Sequence, residues 1–207
     1  GAKPIFADVN IHTFNMCPND LKKKINKKTK AIIFVHSFGN PSGFLEIKKI
    51  SQKYKIPIIE DAACAIGSKI KSNYVGEKSN LACFSFHQKK ILNTGEGGMI
   101  SSNNISLFKK ILLKTNLGAV YNKNKVYSDF VDTGHNYRLS ELQCLIGQKQ
   151  VEGLKKKILY RNIIFKNYCA ELIKLGFIPQ KIEENHESNI QSCVFIIPKK
   201  INRDSLI

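Results

Sequence analysis

The chain has 207 residues, enough for one large domain with a substantial core, and its 43% hydrophobic and 24% charged residues exclude a disordered or fibrous protein. The formal net charge of +17 comes from 30 Lys and only three Arg, and scattered lysines indicate solvated faces rather than a nucleic-acid groove, which would favour Arg. No apolar run approaches the length of about 18 residues that a membrane span needs, and nothing resembles a signal peptide, so we expect a cytoplasmic protein.

The first half of the chain predicts a parallel βαβ unit. Its two apolar runs lack polar alternation, which is typical of strands that are buried on both faces of a parallel sheet. Between them, apolar positions at helical spacing alternate with lysines. The predicted elements are a short strand at Pro4–Val9, a helix from about Asn19, a strand at Ala31–His36, a helix at Phe44–Tyr54 and a strand at Ile56–Ile59.

Two polar residues lie where these predicted strands end. His36 closes the first apolar run, and Asp61 follows the second. Ligands of parallel α/β sheets bind beyond the carboxyl ends of the strands, so both residues are candidates for a functional site. A run of small residues, Ala62–Gly67, would let a flat ligand or another backbone segment approach closely.

The second half continues the sheet and then becomes mostly helical. Ser140 and Gln143 have the spacing of a capping box at the start of a long helix. We expect a large domain at residues 1–150, then a connecting helix and the start of a C-terminal domain at 151–207. The predicted elements are an edge hairpin at Lys69–Gly76, strands at Leu81–Phe86 and Met99–Ser102, a helix at Ile105–Leu117, a functional loop at Gly118–Thr133, helix from Ser140 toward Leu175, and a strand at Ser192–Pro198.

A turn between two of these strands carries adjacent lysines, Lys89 and Lys90, and ends in Gly95–Gly98. A desolvated lysine amine can form a Schiff base with an aldehyde cofactor, and pyridoxal phosphate also needs a carboxylate at its pyridine nitrogen. Asp61 and one of the two lysines could supply these groups. Each residue type is common at such positions, so a solvated turn remains an alternative. The six cysteines form no C-x-x-C pair, and neither a metal site nor a disulfide framework is indicated.

Four longer motifs are more specific than this pair of residues. They are AIIFVHSFG at Ala31–Gly39, IIEDAACAIG at Ile58–Gly67, FSFHQKKILNTGEGGMI at Phe84–Ile100 and GHNYRLSELQCLIG at Gly134–Gly147. In order and spacing they resemble the sugar aminotransferases of the DegT/DnrJ/EryC1/StrS family. The resemblance implies an α/β fold, the three-layer, mainly parallel sheet of fold type I pyridoxal phosphate enzymes. It also implies transfer of an amino group, from glutamate, to a nucleotide-linked keto sugar for lipopolysaccharide, glycan or antibiotic synthesis.

The resemblance assigns roles to residues of this chain. Lys90, the third residue after His87, resembles the Schiff-base lysine of the family, whereas the resemblance gives Lys89 no such role. Asp61 resembles the partner of the pyridine nitrogen and Ser85 the hydroxyl that contacts the cofactor phosphate.

Other positions are assigned to the substrate and to a second subunit. Asn136 and Arg138 resemble the segment that reaches into the neighbouring subunit's cofactor site, which implies a homodimer with shared active sites. His36 and His87 resemble residues that line the substrate pocket. For His36, a hydrogen-bonded histidine at a strand end is an equal alternative.

The chain also departs from the family pattern. Cys64 stands where the family commonly has Gln or His facing the phenolic oxygen of the cofactor, and a thiol is a weaker donor. The family's N-terminal phosphate-binding part and most of its C-terminal domain are expected to be missing, so the fragment alone is expected to be inactive. A sugar dehydratase, in which histidine replaces the lysine, is a related alternative that Lys90 argues against. A non-catalytic remnant is an alternative of another class.

Overall fold

A computed structural model describes residues 1–120 and 129–206 of the chain. Five helices and eleven short strands are found among these residues. The helices are α1 (Pro18–Lys24), α2 (Phe44–Tyr54), α3 (Ile105–Thr115), α4 (Glu141–Glu152) and α5 (Leu154–Leu172). The strands are β1 (Ile32–Val35), β2 (Ile58–Asp61), β3 (Lys69–Ile70), β4 (Asn73–Tyr74), β5 (Leu81–Ser85), β6 (Gly98–Ser101), β7 (Ala119–Val120), β8 (Asp129–Phe130), β9 (Ile178–Pro179), β10 (His186–Glu187) and β11 (Phe195–Ile196).

The main sheet has the strand order β1-β2-β5-β6. β1, β2 and β5 run parallel, and β6 pairs antiparallel with β5. The chain passes from β1 to β2 through α2, which is the predicted βαβ unit. The prediction of a mainly parallel α/β sheet is therefore confirmed.

Helix α2 covers one face of this sheet. The side chains of Phe44 and Ile47 on α2 are fully buried, and so is Phe34 on β1. The rings of Phe34 and Phe44 pack edge to face with their centroids 5.5 Å apart. The helix ends at Lys55, whose φ of 54° is left-handed and closes the last turn. Of the four apolar positions predicted at helical spacing, Ile47 and Ile50 lie in the core between α2 and the sheet and Leu45 is partly buried against it, whereas Tyr54 is 44% exposed.

The face of the sheet opposite α2 is exposed along β1 and half-buried along β2, which corrects the prediction that both apolar runs are buried on both faces. Along β1, Ile32 and Phe34 are buried, whereas Ile33 is 58% and Val35 is 45% exposed. Alternate side chains of a strand point to opposite faces, and α2 covers only one of them. We call the uncovered side the open face.

The predicted strand at Pro4–Val9 is wrong. Within the described residues this segment makes a single antiparallel bridge, between Val9 and Met16. Ile5 and Phe6 are largely exposed, so β propensity alone did not form a strand without a neighbouring strand to pair with.

The predicted helices in the second half are confirmed, with shifted ends. The capping box is present: Ser140 accepts from the backbone of Gln143, whose side chain reaches back to the backbone of Ser140. The helix predicted from Ser140 toward Leu175 is interrupted at Gly153, where α4 ends and α5 begins. The division into domains at residue 150 stays a prediction.

The short strands differ more from the predictions. The predicted hairpin is formed by β3 and β4, and β10 pairs with β3 to make a three-stranded sheet, so β3 is not an edge strand. The predicted strand at Ser192–Pro198 shortens to β11, which pairs with β9. In the predicted loop at Gly118–Thr133, β7 and β8 pair antiparallel, and residues 121–128 lie outside the described residues. None of the helices in the described part of the chain is long and apolar enough to span a membrane.

Candidate functional site

Strand alternation places Asp61 and Ser85 on the same face of the main sheet. Glu60 on β2 is fully buried on the side covered by α2, so its neighbour Asp61 lies on the open face. Asp61 pairs in register with Cys83 of β5, and Ser85 follows two positions later on the same strand. The carboxylate and the hydroxyl that were predicted as cofactor contacts therefore share the open face.

Asp61 lies at the carboxyl end of β2, beside Cys83 of β5. Burial raises the pKa of the Cys83 thiol above its ordinary value, and the negative charge of Asp61 raises it further. The Oδ1 atom of Asp61 also accepts a hydrogen bond of 3.1 Å from the backbone N–H of Ala63. A fixed anionic group thus lies at the carboxyl end of β2.

The turn after β5 distinguishes the two candidate lysines. Lys89 is exposed, whereas Lys90 is partly buried and its Nζ atom donates to Sγ of Cys64 at 3.1 Å. The backbone N–H of Lys90 donates to the carbonyl of His87 at 2.9 Å, which closes the turn. The amine of Lys90 is therefore directed toward the turn that follows Asp61.

The glycine-rich part of this turn packs against the start of α4. Gly97 has a φ of 139°, and a Cβ atom there would lie 2.5 Å from Cδ2 of Leu139, so only glycine fits. The side-chain amide of Gln143, in the α4 capping box, donates to the carbonyl of Glu96 at 2.9 Å. Helix α4 thereby fixes the path that returns the chain from Lys90 to β6.

The side chain of His36 lies on the buried face, opposite to that of Asp61, while its backbone N–H donates to the carbonyl of Asp61 at 3.0 Å. It is fully buried, and its Nε2 atom is 2.7 Å from Oε2 of Glu60, which also accepts from the backbone N–H of Gly76 at 3.2 Å. The alternative of a hydrogen-bonded histidine at a strand end describes these surroundings. The role of His36 in a substrate pocket stays a prediction, and its contacts give no support to it.

His87 lies on the turn of Lys90 itself and is partly exposed. Its Nδ1 atom accepts from the backbone N–H of Lys89 at 3.2 Å, and its Nε2 atom is 3.6 Å from Oε1 of Glu96. The ring therefore spans the two ends of the turn, and its predicted contact with substrate stays a prediction.

Asn136 and Arg138 are exposed on the surface. Both meet Asn116, the residue that caps the C-terminus of α3: Asn136 through an antiparallel bridge and Arg138 through a side-chain hydrogen bond to Oδ1. Neither residue contacts Lys90 within the described chain. This placement suits residues that act on another subunit, which stays a prediction.

Two residues that the sequence analysis did not single out contact the turns around Lys90. The side-chain amide of Gln191 forms hydrogen bonds with the backbone of the residues on both sides of Lys90, and the side-chain amide of Asn189 donates to the carbonyl of Cys64. Both lie about 100 positions or more from their partners, in a segment with no recognisable motif. No local signal in the sequence could have identified them.

Two shallow clefts lie along α4, one lined by Leu145 and Lys149 and the other by Leu139 and Cys144. Neither is lined by Lys90, Asp61 or Ser85.

Comparison with families and curated proteins gives consistent matches. The model of the DegT/DnrJ/EryC1/StrS aminotransferase family matches residues 1–207. The GDP-perosamine synthase of Vibrio cholerae is 33% identical over 210 residues, which cover 100% of this chain and 56% of that protein. The chain thus spans about half the length of the curated relatives it matches.

Solved structures with the same fold include enzymes of two kinds. Helicobacter pylori PseC, an aminotransferase involved in the biosynthesis of pseudoaminic acid, superposes with a TM-score of 0.89 at 26% identity, over 96% of this chain and 53% of that one. The E. coli GDP-4-keto-6-deoxy-D-mannose-3-dehydratase with bound hydrated PLP superposes with a TM-score of 0.88 at 26% identity, over 97% of this chain and 56% of that one. The fold is that of the fold type I pyridoxal phosphate aminotransferases.

Proposed function

Because the chain belongs to the DegT/DnrJ/EryC1/StrS aminotransferase family, we propose that the complete protein moves an amino group from glutamate to a nucleotide-linked keto sugar. The observation that carries this proposal is the placement of the Lys90 amine, 3.1 Å from Cys64. Cys64 follows Asp61 by three residues, and Asp61 shares a sheet face with Ser85. The proposal assigns the amine of Lys90 to the aldehyde, the carboxylate of Asp61 to the ring nitrogen and the hydroxyl of Ser85 to the phosphate of pyridoxal phosphate.

The described residues fit pyridoxal phosphate as the cofactor. Asp61 would hold the protonated ring nitrogen, Ser85 would donate its hydroxyl to the phosphate, and Lys90 would bind the aldehyde carbon. Cys64, which touches Lys90, would face the cofactor's phenolic oxygen with a thiol in place of the stronger donors Gln or His. When bound, the cofactor supplies an electron sink for the carbon that carries the amino group.

Lys90 is the proposed proton carrier of the reaction. With the amino donor bound, the free Nζ of Lys90 would carry a proton from the amino-bearing carbon to the cofactor carbon, acting as base and then as acid. The carboxylate of Asp61, at the end of β2, would hold the ring nitrogen in its protonated form. When the keto sugar is aminated, Lys90 would carry the proton in the opposite direction.

A nucleotide sugar is the proposed acceptor. The Vibrio cholerae relative is named for a GDP-linked amino sugar. The net charge of +17 would attract an anionic nucleotide to the protein surface. We place the reaction in the cytoplasm, in the biosynthesis of amino sugars and of polysaccharides such as lipopolysaccharide. The proposed active form is a homodimer in which Asn136 and Arg138 of each subunit reach the cofactor site of the other.

The test compares Lys90→Ala with Lys89→Ala in the full-length protein. Borohydride reduction in the presence of pyridoxal phosphate, followed by peptide mapping, should place the label on Lys90 in the unmodified protein and in Lys89→Ala. Amino transfer from GDP-perosamine to 2-oxoglutarate should fall by about 10² to 10⁴-fold in Lys90→Ala, the range expected for loss of an acid–base group. Equal labelling and equal rates in the two variants would show that the assignment of Lys90 is wrong.

A further inference from the structure

Residues Ser188–Gln191 cross the turns that follow all three parallel strands of the main sheet, and we call them the crossing segment. At its centre, Nδ2 of Asn189 donates to the carbonyls of Cys64 and Ile66, at 2.9 Å each, in the turn after β2. The backbone N–H of Gln191 donates to the carbonyl of Phe38, in the turn after β1, at 3.1 Å. Four residues thus join turns that are far apart in the sequence.

The side chain of Gln191 reaches the third turn and brackets Lys90. Its Oε1 atom accepts from the backbone N–H of Ile91 at 3.1 Å, and its Nε2 atom donates to the carbonyl of Lys89 at 3.0 Å. A primary amide carries a donor and an acceptor side by side, so one side chain can fix both peptide units that flank Lys90. Fixing them sets the direction in which the side chain of Lys90 leaves the backbone.

Helix α5 holds the crossing segment from the outside. The guanidinium of Arg161 donates to the carbonyls of Ile190 and Gln191 at 3.0 and 3.1 Å. The amide of Asn162 donates to the carbonyl of Ser188 at 2.9 Å. The segment is therefore clamped between α5 and the sheet.

The backbone of the crossing segment is held in an unfavourable conformation. Ile190 has a φ of 49°, which is rare for a β-branched residue, and it is buried together with Ser188 and Asn189. Strained residues persist only where the surrounding contacts determine the conformation. Here the left-handed conformation of Ile190 sets the direction of the chain at Gln191, whose side chain reaches the loop of Lys90.

We propose that Gln191 is a positioning residue that aims the Lys90 amine at Cys64 and at the open face. Asn189 complements it, because it tethers the backbone of Cys64, the residue that Nζ of Lys90 touches. Both sides of the 3.1 Å contact are thus attached to one segment. The inference rests on the proposed function of Lys90 and assigns a supporting role within the same site.

The experiment compares three variants of the full-length protein. Gln191→Met removes both hydrogen bonds, and Gln191→Glu keeps an acceptor for Ile91 but loses the donor. Gln180→Met is the matched control, since the amide of Gln180 also ties the C-terminal part to backbone carbonyls, of Thr13 and Ser37, without reaching the loop of Lys90.

The first readout is amide hydrogen exchange of Ile91 in the protein without pyridoxal phosphate. Gln191→Met should accelerate it about tenfold or more by freeing the amide, Gln191→Glu should lie in between, and Gln180→Met should leave it unchanged. The second readout is steady-state amino transfer. Gln191→Met should lower kcat about tenfold and change KM for the nucleotide sugar less than about twofold, because only orientation is lost.

A residue with a merely structural role would give a different pattern. The positioning role is overturned if Gln191→Met and Gln180→Met lower the melting temperature by the same amount and the two variants do not differ in Ile91 exchange or in kcat. Absence of borohydride-trapped cofactor on Lys90 in the unmodified protein overturns the proposed function instead. In that case, faster Ile91 exchange in Gln191→Met still supports the bracket around Lys90.

Discussion

Lys89 and Lys90 have identical side chains, and only their surroundings distinguish them. Lys89 extends into solvent, and its carbonyl serves as an acceptor for Gln191. Lys90 is partly withdrawn from water and touches a thiol, which is a weak hydrogen-bond partner. The two lysines therefore differ in their exposure and in the contact that the Nζ atom of Lys90 makes with Cys64.

The effect of Asp61 on the thiol of Cys83 can be tested without cofactor or substrate. Its negative charge helps to raise the pKa of the Cys83 thiol, so at neutral pH less thiolate is present than burial alone would leave. Asp61→Asn removes that charge, which should lower the pKa of Cys83 and speed its alkylation by iodoacetamide about two- to threefold, since only the thiolate reacts. The measurement is the alkylation rate of the Cys83 peptide by mass spectrometry between pH 7 and 9.

Cys144 is the internal control for this experiment because it is exposed and lies on α4, outside the main sheet. Its alkylation rate should be the same in both proteins. An unchanged rate at Cys83 would contradict the placement of an ionised Asp61 beside it on the open face.

At the scale of elements, the covered and the open face of the main sheet should differ in their contribution to stability. Ile47 on α2 is fully buried, whereas Ile33 on β1 is 58% exposed on the open face. Ile47→Val should lower the free energy of unfolding of this chain by about 0.5–1.5 kcal/mol, and Ile33→Val should cost less than half of that, because no packed methyl group is lost. Urea unfolding of the two variants checks this pair, and equal costs would mean that the open face is covered.

The elements that the sequence predicted well have a local cause. Helix α2 follows from the helical spacing of Leu45, Ile47 and Ile50, and the start of α4 follows from the capping box. β1 was located correctly, but its open face could not be predicted, since a run of apolar residues does not show whether one or two layers cover it. The strand predicted at Pro4–Val9 did not form because the segment lacks a pairing strand among the described residues, which is a tertiary property.

The candidate site divides in the same way. Asp61 could be singled out from the sequence because it follows a strand, whereas Ser85 and the choice of Lys90 over Lys89 came from the resemblance of their motif to the family, and the roles of all three stay predictions. Gln191 and Asn189 could not, because their contacts join positions 100 or more residues apart and depend on a strained backbone at Ile190. Hydrogen bonds of that kind have no periodicity to detect.

At the scale of the whole molecule, the proposed homodimer would assign Asn136 and Arg138 a function in the active site of the partner subunit. Asn136 and Arg138 are exposed, and their contacts are with Asn116 rather than with the turn of Lys90. Shared active sites would require each site to combine Lys90 of one protomer with Arg138 of its partner.

This arrangement predicts complementation between two inactive variants. In full-length protein, Lys90→Ala and Arg138→Ala should each lose amino transfer, because every site lacks one of the two groups. After mixing, unfolding and refolding in equal amounts, half of the dimers are hybrids, and each hybrid contains one intact site and one site without either group. Activity should therefore recover to about a quarter of the unmodified rate, as random pairing in a twofold dimer requires. Mixing Lys90→Ala with the double variant should restore nothing, and hybrids that are visible by native mass spectrometry yet inactive would show that the sites are not shared.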